Sequence, residues 1–278
     1  MNKEAVSLPG LPYRRGRGGP VLVDADGYAR RKLLGGGPVP WEDPGALASY
    51  LGRYVALFTA DAVLVDVGSA WCHRADSRAL ATAVSGRARR GRPLRVLLED
   101  ARCRALVVEA LQTAVAAAGV PVVAAIPSPG HWARTANVLA GAADRRVDGE
   151  TVEAAAMYIA GALSGVAGTG VSALLIDEGA ATVEELPCPD VYAPIANAAG
   201  HLQWPVLVRT DNVRCWPHGP VEAVTAWVGN GPGGDGPWGV VGEIAAVVPE
   251  GSPGAPRIVR VGEDADPDQV SAAVRCWS

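Results

Sequence analysis

The sequence predicts an α/β fold, a single (β/α)8 barrel of the TIM type preceded by an N-terminal tail and hairpin. Three observations predict it. Short continuous apolar runs recur along the chain, among them AVLVDV, VPVVAAI, VSALLIDE and PVLVRTD. Such strands are buried on both faces and belong to parallel sheets. Helix-like stretches alternate with them, as parallel pairing requires. The alternative, an open doubly wound sheet that binds a dinucleotide, would place G-x-G-x-x-G directly after its first strand. Here the matching glycines, Gly229, Gly231 and Gly234, are interrupted by Pro232 and precede a strand. The barrel is therefore preferred, with seven or eight strands and no internal linker between 21 and 278.

The elements follow in order. Residues 1–20 are rich in Gly, Pro and Arg and read as a flexible tail. Between two apolar runs, Asp26-Gly27 reads as a hairpin turn. AVLVDV ends at Val67 and is a buried strand; Asp76 to Arg90 is helix-like. PLRVLLED, Pro93 to Asp100, reads as a strand because its apolar residues cluster without an obvious polar alternation. Arg102 to Ala118 reads as a helix stopped by Gly119. Val120 to Ile126 is a strand, Glu150 to Val166 a long Ala-rich helix, and Val171 to Glu178 a strand. Asp190 to Leu202 is a helix, Pro205 to Asp211 a strand, and Pro220 to Val228 a helix. Two strands, Gly239 to Val248 and Arg257 to Gly262, and a helix from Asp266 to Trp277 close the chain.

Composition removes several classes of function. The formal net charge of −4 argues against nucleic-acid or anionic-membrane partners. No apolar run approaches the roughly 20 residues that span a bilayer, and the N-terminus lacks the apolar middle of a signal peptide. A cytoplasmic location is expected. The five cysteines are scattered without a C-x-x-C, so reduced thiols are expected. Lysine occurs only at Lys3 and Lys32, with no GK[ST], which excludes a Walker P-loop and disfavours Schiff-base chemistry. No nucleotide-cofactor motif is present. The expected partner is a small-molecule substrate, and a homo-oligomer is compatible with the sequence.

Barrel chemistry sits at the C-terminal ends of the strands. That rule collects Trp71, Cys72, His73 and Arg74 after AVLVDV, then Ser128, His131 and Trp132 after VVAAI. Asp177 and Glu178 follow ALLI; Arg209, Asp211, Cys215 and His218 follow VLV. Asp177 and Glu178, in a strand, point to opposite faces, so only one of them can face the mouth unless the strand has already ended. Asp66 and Asp177 could instead cap the following segments. His131, after a Pro-Gly turn, is a candidate acid/base. Trp71 and Trp132 are candidates for stacking on a planar or cationic substrate. Arg74 and Arg209 offer donor forks for a carboxylate, with Asp211 a further proton carrier. Cys215 and His218 carry zinc-capable atoms, as do Cys72 and His73.

The segment VPVVAAIPSPGHWA, the long helix from Glu150 and GTGVSALLIDEGAATVEELP together resemble the barrel of the cobalamin-independent methionine synthases and uroporphyrinogen decarboxylases. The resemblance covers roughly residues 120–215. It implies that Asp177 contacts a substrate amino group, that Glu178 is its neighbour, and that Gly179 replaces the family proline. The zinc-binding His-x-Cys of the methionine synthase branch is absent, since that place reads VRTDNVRC. Three functions stay open. One is alkyl (methyl) transfer to a thiol, with zinc on Cys215 and His218. The second is a metal-free decarboxylase or lyase acting on a carboxylate-bearing metabolite, using His131 and Asp211. The third is a non-catalytic barrel that serves as a binding partner.

Overall fold

The structure is a computed structural model that describes residues 11–12, 19–84, 90–179, 189–210, 224, 226–229, 238–243 and 256–277. Eight parallel strands form one closed barrel in chain order. They are β1 Val21–Asp24, β2 Ala62–Asp66, β3 Val122–Pro127, β4 Ala173–Asp177, β5 Val206–Thr210, β6 Ala226–Gly229, β7 Trp238–Glu243 and β8 Arg257–Arg260. Closure is made by β1 against β8, with Asp24 in register with Arg260.

Period-two alternation splits the strand residues between two cores. Leu22, Ala62, Val123, Leu175, Leu207 and Ile258 fill the barrel interior. Leu174, Ile176, Val206 and Val208 face outward and pack under the helices. Large branched residues alternating in this way make the interior a packed core rather than a pore. Leu11, inside the expected tail, is 2% exposed and joins the inner core.

Ten helices are described. α1 is Asp26–Leu34, α2 Pro44–Phe58, α3 Val67–His73, α4 Ser77–Val84, α5 Arg92–Glu99, α6 Ala101–Ala118, α7 Pro129–Leu139, α8 Gly149–Leu163, α9 Ala193–His201 and α10 Pro267–Trp277. Between β2 and β3 the chain places α3, α4 and α5 before the long α6, and α5 packs on α7 and α8. Among the described residues no helix is long and apolar enough to cross a membrane.

Three expected elements are corrected. No hairpin forms at Asp26-Gly27; α1 starts there. β1 already has parallel neighbours on both sides, which leaves no edge for a returning strand. The segment carries an acid in its first turn, Arg31 and Lys32 in its last, and ends on Gly35 in the left-handed conformation, all favourable to a helix. PLRVLLED is the helix α5. Leu94, Leu97 and Leu98, buried along with Pro93, make an i, i+3, i+4 stripe that a short apolar run conceals, and Pro93 suits a helix start. The expected helix Pro220 to Val228 overlaps β6 at Ala226–Gly229, where pairing with β5 decides the conformation; residues 220–223 and 225 lie outside the described residues.

Candidate active site

The alternation that fills the barrel also builds its mouth. Leu22, Ala62, Leu175, Leu207 and Ile258 point inward, and two or four residues further along the same faces come Asp24, Asp66, Asp177, Arg209 and Arg260. Asp177 and Arg209 are also register partners on β4 and β5. Their side chains meet: Arg209 Nε donates to Asp177 Oδ1 at 2.9 Å, and Nη2 donates to Asp177 Oδ2. The third nitrogen, Nη1, donates to Asp24 Oδ2 on β1. Arg260 Nε stands 3.9 Å from the same Asp24 oxygen.

Arg209 is only 12% exposed, so this is a largely desolvated ion-paired cluster. Burial alone would raise the Asp177 carboxyl, but the hydrogen bonds and charge of Arg209, with the Gly179 N–H, hold it below the usual carboxylate range. Burial likewise works against the charge on Arg209, and its hydrogen bonds to Asp177 and the charge of Asp24 outweigh it, raising its pKa. Both groups are ionised at neutral pH.

Above this cluster lies a cavity of about 360 Å3. Asp24, Asp26, Asp66 and Asp177 line it, with Arg209 and His131. Apolar and aromatic residues complete the wall: Val39, Trp41, Tyr50, Leu51 and Trp132. Asp66 caps α3, accepting from the Ser69 N–H at 2.9 Å and from the Ser69 hydroxyl. It caps α3, as the sequence allowed, and also stands on the cavity wall. Asp26 is raised by burial and by the nearby Asp66 and Asp24 charges, against the pull of Arg30. Cys72 lines the cavity too, its thiol pushed up to about 11 by burial.

Each sequence-derived candidate has a definite place. His131 stands exposed in the first turn of α7, on the cavity wall; Ser128 caps that helix by accepting from the His131 N–H at 3.3 Å. Trp132 lies beside it and is 1% exposed. Glu178, as its parity demands, faces away from Asp177. It is 5% exposed and accepts from the Tyr192 hydroxyl. Burial, followed by the Asp177 charge, pushes its carboxyl up to about 7, against a hydrogen bond from Ser128. Trp71 is corrected as a substrate-stacking residue: it is buried, donates from Nε1 to the Leu97 carbonyl, and packs edge-on against Trp132 with ring centres 5.9 Å apart. Arg74 is corrected as a substrate contact: it lies outside the cavity wall, its Nε 2.6 Å from Glu42 Oε1. His73 reaches that same Glu42 oxygen at 3.7 Å. Asp211, Cys215 and His218 lie outside the described residues. Among the described residues no group of three His, Cys, Asp or Glu side chains could hold a metal ion.

The sequence reading missed Asp24, Asp26, Trp41 and Tyr50. Asp24 was legible as the last residue of VLVD, in phase with Leu22. Trp41 and Tyr50 carry no local signal, since they reach the cavity from a loop and a helix after α1.

The chain is thus a closed parallel barrel with an acidic cavity at the C-terminal ends of its strands. No family model matches the sequence, and no curated protein does. Among solved structures, the chain is similar to a methyltransferase from Methanosarcina mazei, with 12% identity and a TM-score of 0.48 over 99% of this chain and 94% of that one. It is also similar to phosphonopyruvate hydrolase in complex with oxalate and Mg++, with 11% identity and a TM-score of 0.38 over 94% and 80%. A third is 2,3-dimethylmalate lyase, a PEP mutase/isocitrate lyase superfamily member, with 15% identity and a TM-score of 0.35 over 89% and 84%. The expected kinship with the methionine synthases and uroporphyrinogen decarboxylases is corrected: no family model matches, and the similar solved structures named here are neither. The features behind that expectation, a proline at a strand end and an acid pair closing an apolar strand, suit parallel barrels in general.

Proposed function

We propose that this chain is an enzyme that binds a small, positively charged metabolite at the barrel mouth and acts on it by proton transfer, as a lyase. One observation carries the reading. Among the described residues four carboxylates line the cavity; Arg209 is held by Asp24 and Asp177, Arg30 pairs with Asp26 and Arg260 stands near Asp24, so four acids face three arginines. A substrate carboxylate would have to displace Asp24 or Asp177 from Arg209 and then face the remaining acids. A cation meets the unbalanced charge directly, in a site whose apolar wall strengthens the attraction.

His131 is the group placed to move the proton. It lies on the cavity wall, exposed, on a helix start held by Ser128. Asp177, kept ionised by Arg209, orients the positive end of the substrate. Alkyl transfer at zinc would draw on Cys215 and His218, and no described residue adds support to it.

The test is calorimetric titration of the full chain with small amines, carboxylates and phosphate esters. The amines are expected to bind and the anions not, and Asp177→Asn is expected to weaken amine binding about tenfold or more. Binding of carboxylates in preference to amines would overturn the reading. For the reaction, a bound amine kept in heavy water is expected to take up deuterium, seen by NMR, and His131→Gln to stop it. Binding without exchange would leave a barrel that holds ligands and does not catalyse.

A further inference from the structure

The proposed chemistry needs two side chains at a fixed separation: Asp177, which orients the substrate, and His131, which moves the proton. They come from different elements, β4 and α7, and a misplacement of about 1 Å can cost roughly a hundredfold in rate. Two tethers join the elements at this point. In the first, the Ser128 N–H donates to the Asp177 carbonyl at 2.8 Å, and the His131 N–H donates to the Ser128 hydroxyl oxygen at 3.3 Å. It fixes the backbone at the start of α7.

The second tether is Gly179. Its backbone stands in the left-handed region, with a φ of 59°. The chain turns back at the end of β4, and the Gly179 N–H donates to Asp177 Oδ1 at 2.9 Å. The same turn carries Gly179 alongside the imidazole: a Cβ on it would stand 3.7 Å from His131 Nδ1 and 3.9 Å from Cε1. One residue thus bonds the carboxylate and stands beside the ring. The turn is also held from behind, since the Glu178 N–H donates to the Arg209 carbonyl at 2.9 Å and the buried Glu178 carboxylate accepts from the Tyr192 hydroxyl. A Cβ at 3.7 Å makes an ordinary contact, so space alone does not call for glycine here; the backbone conformation does.

Resting on the proton-transfer reading above, we infer that Gly179 is a positioning residue for the reaction: its left-handed turn sets the placement of Asp177 relative to the His131 imidazole.

The test uses the full chain and glycinamide, a small cation with carbon-bound hydrogens beside a carbonyl. Deuterium uptake at saturating glycinamide gives the rate, and calorimetry gives the affinity. Asparagine tolerates a left-handed backbone better than alanine, and valine tolerates it least. The exchange rate is therefore expected to fall in the order parent, Gly179→Asn, Gly179→Ala, Gly179→Val, with the valine variant about tenfold or more below the parent. Affinity is expected to stay within about threefold of the parent, because Arg209 still holds Asp177 through two nitrogens. That order follows backbone tolerance and not side-chain size, since asparagine is larger than alanine. If the valine variant does not fold, the order of asparagine and alanine decides. Exchange at the parent rate in every variant, alanine faster than asparagine, or rate and affinity falling together would overturn the inference and leave the proton-transfer reading standing. No exchange by the parent protein would overturn both.

Discussion

Arg209 and Glu178 show how one strand periodicity assigns opposite fates to charged residues. Asp177 and Arg209 point into the mouth and ionise together; Glu178, one residue on, points at the helices and is pushed toward neutrality. The acid pair was readable from the sequence, including the opposite facing of its members. Its partner was not, because Asp24 approaches Arg209 from 185 residues away and no local pattern encodes that distance. Two predictions belong here. Arg209→Met leaves two carboxylates without their counter-charge and is expected to cost about 3–5 kcal/mol at pH 7 in urea denaturation. Because the folded pKa of Asp177 lies below its ordinary 3.8, the pair's contribution is fully present above that value and fades as the pH falls, so the gap between variant and parent should narrow in acid. Glu178 has the opposite sign. Its carboxyl rises from 4.5 to about 7 on folding, so the folded state holds the extra proton between those values and stability drops as pH climbs through them. A rise of that size corresponds to roughly 3 kcal/mol. Glu178→Gln, which keeps an acceptor for Tyr192, is expected to match the parent near pH 4 and to exceed its melting temperature at pH 8.

At the scale of elements, the strands were legible and several helices were not. β2 to β5 announce themselves as unbroken apolar runs because both of their faces are buried. α5 has the same local texture, with Leu94, Leu97 and Leu98 facing a neighbouring helix layer rather than strands, so only its spacing distinguishes it. α3 depends on tight contact as well as on its Asp66 cap. A Cβ on Gly68 would stand 2.5 Å from Pro127 Cδ and 2.7 Å from Cγ, at the point where α3 crosses the end of β3. Gly68→Ala is therefore expected to destabilise the protein by about 1–3 kcal/mol through overpacking. Because Gly68 also lines the cavity, the same variant should weaken amine binding in calorimetry. Helix propensity alone predicts the opposite change in stability, since alanine is the better helix former.

The molecule as a whole is a barrel whose first strand pairs with its last, Val21 against Arg257, and whose mouth ties Asp24 to Arg209. Closure of this kind has a consequence in time. A ribosome delivers β1 first, with its apolar VLV and an acid destined for a partner 185 residues downstream. At about 5–20 residues per second, roughly ten to forty seconds pass before that arginine is synthesised, and longer before β8 exists to cover the open side. Throughout that interval the growing sheet has two unpaired edges, and Asp24 stands without the arginine that later binds it.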